Sequence, residues 1–139
     1  MSHRKKVTGD EEFSTLDVCK ILNLKRERLR DWMNRGFIEP GTYLEQPKTA
    51  ADIAVFHREE LFRTYLFKVL LEVGYTRKYA AESVKRVMSL DILTEDTLIL
   101  RVTWPKPRGT MIRTLLYWKP IRDMLYKQMR AHLSARRSV

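Results

Sequence analysis

Basic side chains are crowded between residues 25 and 35, in the segment KRERLRDWMNR of this 139-residue chain. Lysine and arginine neutralise DNA phosphates, and arginine can also donate two hydrogen bonds to a guanine edge in the major groove. The residues of this segment that are predicted to contact DNA are Lys25, Arg26, Arg28, Arg30 and Arg35. Glu27 and Asn34 are further candidates for contacts to bases. The alternative interpretation is a solvated helix face, which a run of charged residues commonly forms.

A capped helix is predicted just before this segment. Ser14 is a favourable N-cap, and Asp17 stands at the capping-box position three residues later. The apolar spacing predicts a helix over residues 15–22, which Asn23 can end because asparagine tolerates the left-handed backbone. Ser14 is also included in the set of residues predicted to contact DNA.

A second helix is predicted over about residues 25–35. Its apolar face consists of Leu29, Trp32 and Met33, whose helical spacing is typical of core residues. Gly36 follows at a position where glycine commonly ends a helix. A short helix, a tight turn and a second helix in this order indicate a helix-turn-helix, whose second helix can enter a DNA groove.

Two short strand-like pieces follow, at residues 43–44 and 53–56, and they predict a small β-hairpin wing. Lys48 is the only basic residue of this wing and a candidate for a phosphate contact. An amphipathic helix is predicted over residues 58–73 and another over residues 76–90. The apolar positions assigned to these two helices include Leu61, Phe62, Leu66, Leu70, Val73, Ala80, Val84, Val87 and Met88.

The last third of the chain has a different pattern. Residues 97–104 alternate as in a strand, residues 111–118 fit either a strand or a helix, and Pro120 suits the first turn of a last helix that runs to about residue 135. The apolar stripe of this helix is Ile121, Met124, Leu125, Met129 and Leu133.

Basic and aromatic residues are interleaved in the same third, a composition that can bind single-stranded nucleic acid. They are Arg101, Lys106, Arg108, Arg113 and Lys119, with Trp104, Tyr117 and Trp118. The alternative is a small sheet that covers the helices.

The formal net charge of +10 suggests an anionic partner. Residues 92–139 hold ten basic and three acidic residues and so account for +7 of it, although solubility alone is an alternative reason. With Cys19 as the only cysteine, an intrachain disulfide and a zinc site made of cysteines are excluded. The first residues do not resemble a signal peptide and no apolar run is long enough for a membrane span, so a cytoplasmic, nucleoid-associated protein is expected.

From Phe13 to about Ala81 the sequence resembles the DNA-binding domain of the MerR family of bacterial transcription regulators. The residues that match the family pattern are Phe13, Ser14, Cys19, Leu29, Arg30, Trp32, Gly36, Phe37 and Pro40, then Phe56 before the acidic helix start HREEL, and the step Gly74-Tyr75-Thr76. The chain departs from the pattern at Asp31, where the family has an aromatic residue, and at Ala54, where its wing usually has arginine.

This resemblance implies a mainly α fold, in which a MerR-like winged helix-turn-helix is followed by a two-helix extension and a small α+β C-terminal segment. The expected division is a basic flexible arm over residues 1–12, the DNA-binding domain over 13–91, and a dimerisation or effector part over 92–139. The expected function is a transcription regulator that binds double-stranded DNA as a homodimer, with any small-molecule effector unknown.

Two alternatives remain open. One is an excisionase-like architectural protein of a mobile element that bends DNA. The other is a protein-interaction module in which the helix-turn-helix serves as a scaffold. The sequence has no Gly-rich phosphate loop, nucleophile elbow or HExxH motif, so we expect no enzyme, no metal site and no cofactor.

Overall fold

The computed structural model describes residues 12–43, 54–104 and 110–137. Over these ranges the chain is mainly helical, as the sequence predicts, with six helices and five short strands. In chain order the elements are β1 Glu12–Ser14, α1 Thr15–Leu22, α2 Arg26–Asn34, β2 Thr42–Tyr43, β3 Ala54–His57, α3 Arg58–Glu72, α4 Arg77–Arg86, α5 Ser89–Thr94, β4 Thr97–Trp104, β5 Thr110–Tyr117 and α6 Lys119–Arg137. None of these helices is both long enough and apolar enough to cross a membrane.

The chain forms two compact units. One holds the residues up to Leu61 together with those from Leu125 onward, and the other is Phe62–Met124. The unit boundaries therefore fall inside α3 and α6. These limits are not those of the sequence prediction, which divides the chain after residues 12 and 91.

In the first unit, α1 begins with the predicted capping box. The Ser14 hydroxyl accepts a hydrogen bond from the Asp17 N–H at 3.0 Å, and the Asp17 carboxylate accepts one from the Ser14 N–H at 2.9 Å. The helix ends as predicted at Asn23, whose φ of 52° is left-handed. Local side-chain chemistry therefore determines both ends of this helix.

The second helix of this unit, α2, is one residue shorter at each end than predicted. Its buried face is Leu29, Trp32 and Met33, as the spacing indicates. Gly36 has a φ of +76° and donates to the Met33 carbonyl, while Phe37 donates to the Trp32 carbonyl, both at 3.0 Å. This pair of hydrogen bonds is a Schellman motif, which requires the left-handed backbone that glycine adopts without steric cost.

The first unit also contains a three-stranded antiparallel sheet, in the order β1-β3-β2. Its register pairs Phe13 with Phe56 and Thr42 with Val55. Strands β2 and β3 lie close to the positions predicted for the two strands of the wing, whereas β1 has only three residues and no sequence pattern indicates it. Lys48 lies outside the described residues.

The second unit differs from the sequence prediction at two helix ends. Val73 lies beyond the end of α3 and is exposed, so its assignment to the buried face is wrong. The single helix predicted over residues 76–90 is two helices, and Met88, predicted to face inward, is exposed between them. The interruption has a physical cause, because the Arg63 guanidinium donates to the Val84 carbonyl at 2.6 Å and to the Val87 carbonyl at 2.7 Å. Both carbonyls are thereby satisfied without a further helical turn.

The two-stranded sheet of this unit pairs β4 with β5 along their whole length, from Thr97 opposite Tyr117 to Trp104 opposite Thr110. The ambiguous segment after residue 110 is therefore a strand. The interpretation of Trp118 as a residue that stacks on nucleic acid is wrong. Its side chain is fully buried and donates its indole N–H to the Ile92 carbonyl at 2.8 Å.

The last helix, α6, extends two residues further than predicted. Leu125, Met129 and Leu133 of its apolar stripe are buried. Met124, which the stripe also includes, is 45% exposed, and Arg122 is buried in the same helix. The Arg122 side chain is accommodated because its guanidinium binds the Glu95 carbonyl and lies 3.2 Å from the Asp96 carboxylate.

Candidate nucleic-acid interface

The turn that joins α1 to α2 positions the basic helix. It consists of Asn23, Leu24 and Lys25, and Leu24 is buried. The Leu24 N–H donates to the Cys19 carbonyl at 2.9 Å, and the N–H groups of both Arg28 and Leu29 donate to the Lys25 carbonyl at 3.1 Å. Every residue of this short turn is thus held by burial or by a backbone hydrogen bond, so the direction in which α2 leaves it is fixed.

Basic side chains flank the buried face of α2. Lys25, Arg26 and Arg28 are exposed. Helical spacing places them at the edges of the buried face, because residues three or four positions apart on a helix are neighbours. The Arg28 guanidinium lies 5.0 Å from the centroid of the Trp32 ring, a cation–π contact that orients its long side chain. An oriented arginine loses less conformational entropy when it binds an anion.

Arg30 is half-buried, at the edge of the buried face of α2. Its Nε atom is inaccessible to solvent and has no hydrogen-bond partner within the described ranges. A buried guanidinium N–H without an acceptor is unfavourable by about 1–3 kcal/mol.

Arg35 has a partner already. Its Nε atom donates to Oδ1 of Asp31 at 2.8 Å, one helical turn earlier. Both side chains are about half exposed, so the ion pair itself contributes little to stability. Its main consequence is electrostatic, because the positive charge of Arg35 offsets the negative charge of Asp31 on a helix that is otherwise basic.

Ser14 lies at the start of α1, where its hydroxyl accepts from the Asp17 N–H. The hydroxyl proton is still available as a donor. Of the seven residues predicted to contact DNA, four are therefore in α2 or in the turn before it. Of the other three, Arg35 is held by Asp31, Ser14 caps α1, and Lys48 is outside the described residues.

One basic cluster of the first unit has no counterpart in the sequence prediction. Arg58 donates to the Tyr126 hydroxyl at 3.1 Å, and the guanidinium groups of Arg58 and Arg130 lie 5.1 and 5.7 Å from the centroid of the Tyr126 ring. Arg58 and Tyr126 are 68 positions apart, and no periodicity connects such distant residues.

The described ranges offer little support for a metal site or a reactive cysteine. They contain no group of three or more His, Cys, Asp or Glu side chains that could hold a metal ion. Cys19 is buried, and burial raises the pKa of its thiol although the positive charge of Arg26 acts in the opposite direction. The thiol is therefore protonated at neutral pH and weakly nucleophilic.

The described side chains form an exposed helix face with several cations beside an aromatic ring, supported by a packed turn and a small sheet. Such a face can neutralise and hydrogen-bond to an anionic surface. In comparison with known proteins, the sequence matches no protein-family model and no curated protein.

Proposed function

We propose that this protein is a DNA-binding transcription regulator of the MerR type, which places α2 in the major groove and acts on nucleoid DNA in the cytoplasm. The observation that supports this most directly is the group of exposed cations at the start of α2. Leu29, Trp32 and Met33 attach the helix to its own unit, while Lys25, Arg26 and Arg28 are exposed beside them.

The dimensions and chemistry of the major groove fit this helix. The groove admits one α-helix, and its guanine edges and flanking phosphates accept hydrogen bonds from arginine. We assign the closest DNA contacts to Arg28, which Trp32 orients, and to Arg30, two residues later on the same helix. Strands β2 and β3 correspond to the start and end of the proposed wing.

Asp31 is the obvious objection to this proposal, because a carboxylate repels phosphate. Its ion pair with Arg35 reduces that repulsion at short range. Residues 25–35 hold five basic and two acidic side chains, so the helix retains a charge of +3. This balance supports DNA binding of moderate affinity rather than its loss.

A homodimer follows from the same proposal. One recognition helix contacts only a few base pairs, and two helices on the half-sites of a palindrome multiply the specificity. A dimer also doubles the number of neutralised phosphates and so steepens the dependence of affinity on salt.

The proposal is tested by fluorescence anisotropy and gel shift on genomic DNA fragments over a range of salt concentrations. Arg28→Ala and Arg30→Ala should each weaken binding by about 1–3 kcal/mol and lower the salt dependence by about one phosphate contact. Lys85→Ala is the matched control, because Lys85 is exposed on α4 and its removal changes the net charge by the same amount.

The control variant should bind nearly as well as the wild type. If the wild type shows no salt-sensitive affinity for any duplex fragment, the proposal is wrong. If Lys85→Ala weakens binding as much as Arg28→Ala, the affinity reflects net charge rather than α2, and the assignment of the recognition helix is wrong.

A further inference from the structure

The C-terminal half of α6 is a basic segment without acidic residues. Residues 125–137 contain Lys127, Arg130, Arg136 and Arg137 but neither aspartate nor glutamate. They belong to the same compact unit as α1 and α2. Residues 25–35, by comparison, combine five basic with two acidic side chains. The first unit therefore has a second source of positive charge, outside the proposed recognition helix.

Three of these cations lie along one side of the helix. Lys127, Arg130 and Arg137 are all exposed. At 3.6 residues per turn they lie within an arc of about 80°, and the ten residues from the first to the last span about 15 Å along the helix axis. Ser134 is the other residue of the segment within this arc, and it is exposed too. These three cations, called here the basic ridge of α6, therefore have no large apolar side chain between them.

The positive charge of the basic ridge is not offset by a nearby carboxylate of the described ranges. Lys127 and Arg130 form no ion pair with another residue of those ranges. The one acidic residue of α6, Asp123, pairs with Lys119 at 3.2 Å and with Arg122 at 3.6 Å. Neighbouring cations of this kind produce a positive potential that attracts anions from solution.

An aromatic ring orients Arg130. The Arg130 guanidinium lies 5.7 Å from the centroid of the Tyr126 ring, and the Arg58 guanidinium lies 5.1 Å from the same centroid. The Tyr126 hydroxyl also accepts a hydrogen bond from Arg58 at 3.1 Å. Arg58 begins α3 and directly follows β3, the second strand of the proposed wing. This end of the basic ridge therefore lies beside the base of the wing.

The other end of α6 packs against the start of α1. The Arg136 guanidinium lies 5.7 Å from the centroid of the Phe13 ring and donates to the Glu12 carbonyl at 2.9 Å. Phe13 directly precedes Ser14, the N-cap of α1. In helix-turn-helix proteins the first helix crosses the DNA backbone while the second lies in the major groove. The basic ridge therefore extends from the base of the wing towards the start of α1, two parts that flank the groove in the proposed complex.

We propose that Lys127, Arg130 and Arg137 bind phosphates of the DNA backbone beside the groove that α2 enters. This inference rests on the proposed function and adds to it a contact surface outside the helix-turn-helix. A DNA strand has one charge for about every 3.4 Å of its axis, so three cations spread over about 15 Å can each contact a different phosphate. Such contacts position the protein on the duplex and add affinity, but they do not select a sequence.

The composition of the basic ridge favours DNA over an acidic protein partner. Protein interfaces have a desolvated core in which aromatic residues and methionine are enriched and lysine is depleted. The basic ridge consists of cations with Ser134 between them. Lysine, arginine and serine are among the side chains that bind phosphate oxygens in protein–DNA complexes.

The test is fluorescence anisotropy of the full chain with duplex DNA over a range of salt concentrations. The double variant Lys127→Gln with Arg130→Gln should weaken binding by at least about tenfold at about 0.1 M salt and lower the salt dependence by about two phosphate contacts. The matched control is Lys78→Gln with Lys85→Gln, at two exposed positions of α4. It removes the same charge and should weaken binding by less than about twofold, because only charges close to the phosphates contribute strongly.

Two further measurements separate phosphate contacts from other roles. Lys127→Arg with Arg130→Lys retains both charges and should keep the salt dependence of the wild type, whereas a packing role of Arg130 would not survive the exchange. The glutamine double variant should weaken binding to a genomic target and to an unrelated duplex by the same factor, because phosphates carry no sequence information.

The inference is overturned if the glutamine double variant keeps the salt dependence of the wild type, or if the α4 control loses as much affinity. It is also overturned if the charge-retaining variant loses as much affinity as the glutamine variant. Competition with polyglutamate tests the alternative partner. If polyglutamate displaces the labelled duplex as well as unlabelled DNA does at the same charge concentration, an acidic protein is the better assignment for the basic ridge.

Failure of this inference is distinguishable from failure of the proposed function. If Arg28→Ala weakens DNA binding and the change of Lys127 and Arg130 to glutamine does not, the recognition helix is supported and the basic ridge is rejected. If the glutamine double variant lowers the salt dependence and Arg28→Ala changes nothing, α6 binds DNA and the assignment of α2 is wrong. A wild type without affinity for any duplex rejects both.

Discussion

His132 Nε2 lies 2.8 Å from Oδ1 of Asp17, although 115 positions separate the two residues. Arg136 Nη1 lies 3.1 Å from the other oxygen of the same carboxylate and donates to the Glu12 carbonyl at 2.9 Å. Asp17 therefore caps its own helix and binds two side chains of α6. The Asp17 carboxylate therefore links the last turns of α6 to the start of α1, the helix that precedes the proposed recognition helix.

The first prediction concerns the contribution of this carboxylate to stability. Asp17→Asn should lower the free energy of unfolding by about 2 kcal/mol, because it removes the charge that holds Arg136 and weakens the capping box. Urea unfolding at pH 7 measures the change. Asp31→Asn is the matched control, since its ion pair with Arg35 is exposed and should contribute less than about 1 kcal/mol. Equal losses of stability in the two variants would contradict a larger contribution of Asp17 to the stability of the fold.

The second prediction concerns pH. Burial alone would raise the pKa of Asp17, but hydrogen bonds from the Ser14 N–H, His132 and the Ser14 side chain, with the charge of His132, together hold it below its ordinary value of 3.8. A carboxyl whose pKa is lower in the folded state stabilises the fold above its unfolded-state pKa and loses that contribution as the pH falls through the folded-state pKa.

The stability difference between the wild type and Asp17→Asn should therefore shrink as the pH falls below about 4. Urea unfolding series at several pH values measure it. A difference that grows as the pH falls below about 4 would mean that the pKa of Asp17 is raised in the fold.

The ends of α1 and α2 are predictable from sequence because the determining residues are close together in the chain. Ser14 and Asp17 are three positions apart, and Gly36 ends α2 through its own backbone. The break between α4 and α5 depends instead on Arg63, more than twenty positions earlier, and so no local pattern predicts it.

The residues of the candidate site likewise fall into some that the sequence predicts and others that depend on the folded structure. Helical periodicity alone is enough to place Trp32 in the core and Arg28 at the edge of the buried face. The ion pair of Arg35 with Asp31 depends on rotamers, and the cluster of Arg58 with Tyr126 depends on tertiary packing, so neither follows from periodicity.

The third prediction follows from the Asp31–Arg35 pair and the proposed function. Asp31→Asn removes a negative charge from α2 and releases the Arg35 guanidinium, so it should strengthen DNA binding by about threefold at low salt. Anisotropy titrations at two salt concentrations measure the effect, which should diminish at the higher one. Glu82→Gln, at a half-buried position of α4, is the control for a change of one acidic charge elsewhere and should have a smaller effect. Unchanged or weaker binding by Asp31→Asn would argue against contact between this part of α2 and DNA.

The fourth prediction concerns the end of α4. Arg63→Ala leaves the Val84 and Val87 carbonyls without their charged donor and should lower the free energy of unfolding by about 2–3 kcal/mol. Arg63→Lys should lower the free energy of unfolding by only about half as much. One ammonium group can donate to one carbonyl but cannot donate to both carbonyls as the guanidinium group does. Lys78→Ala, at an exposed position of the first turn of α4, should change stability by less than about 0.5 kcal/mol. Hydrogen exchange should locate the loss in the last turn of α4 and in α5, and a uniform loss across the chain would mean that Arg63 acts through general packing rather than as the residue that ends the helix.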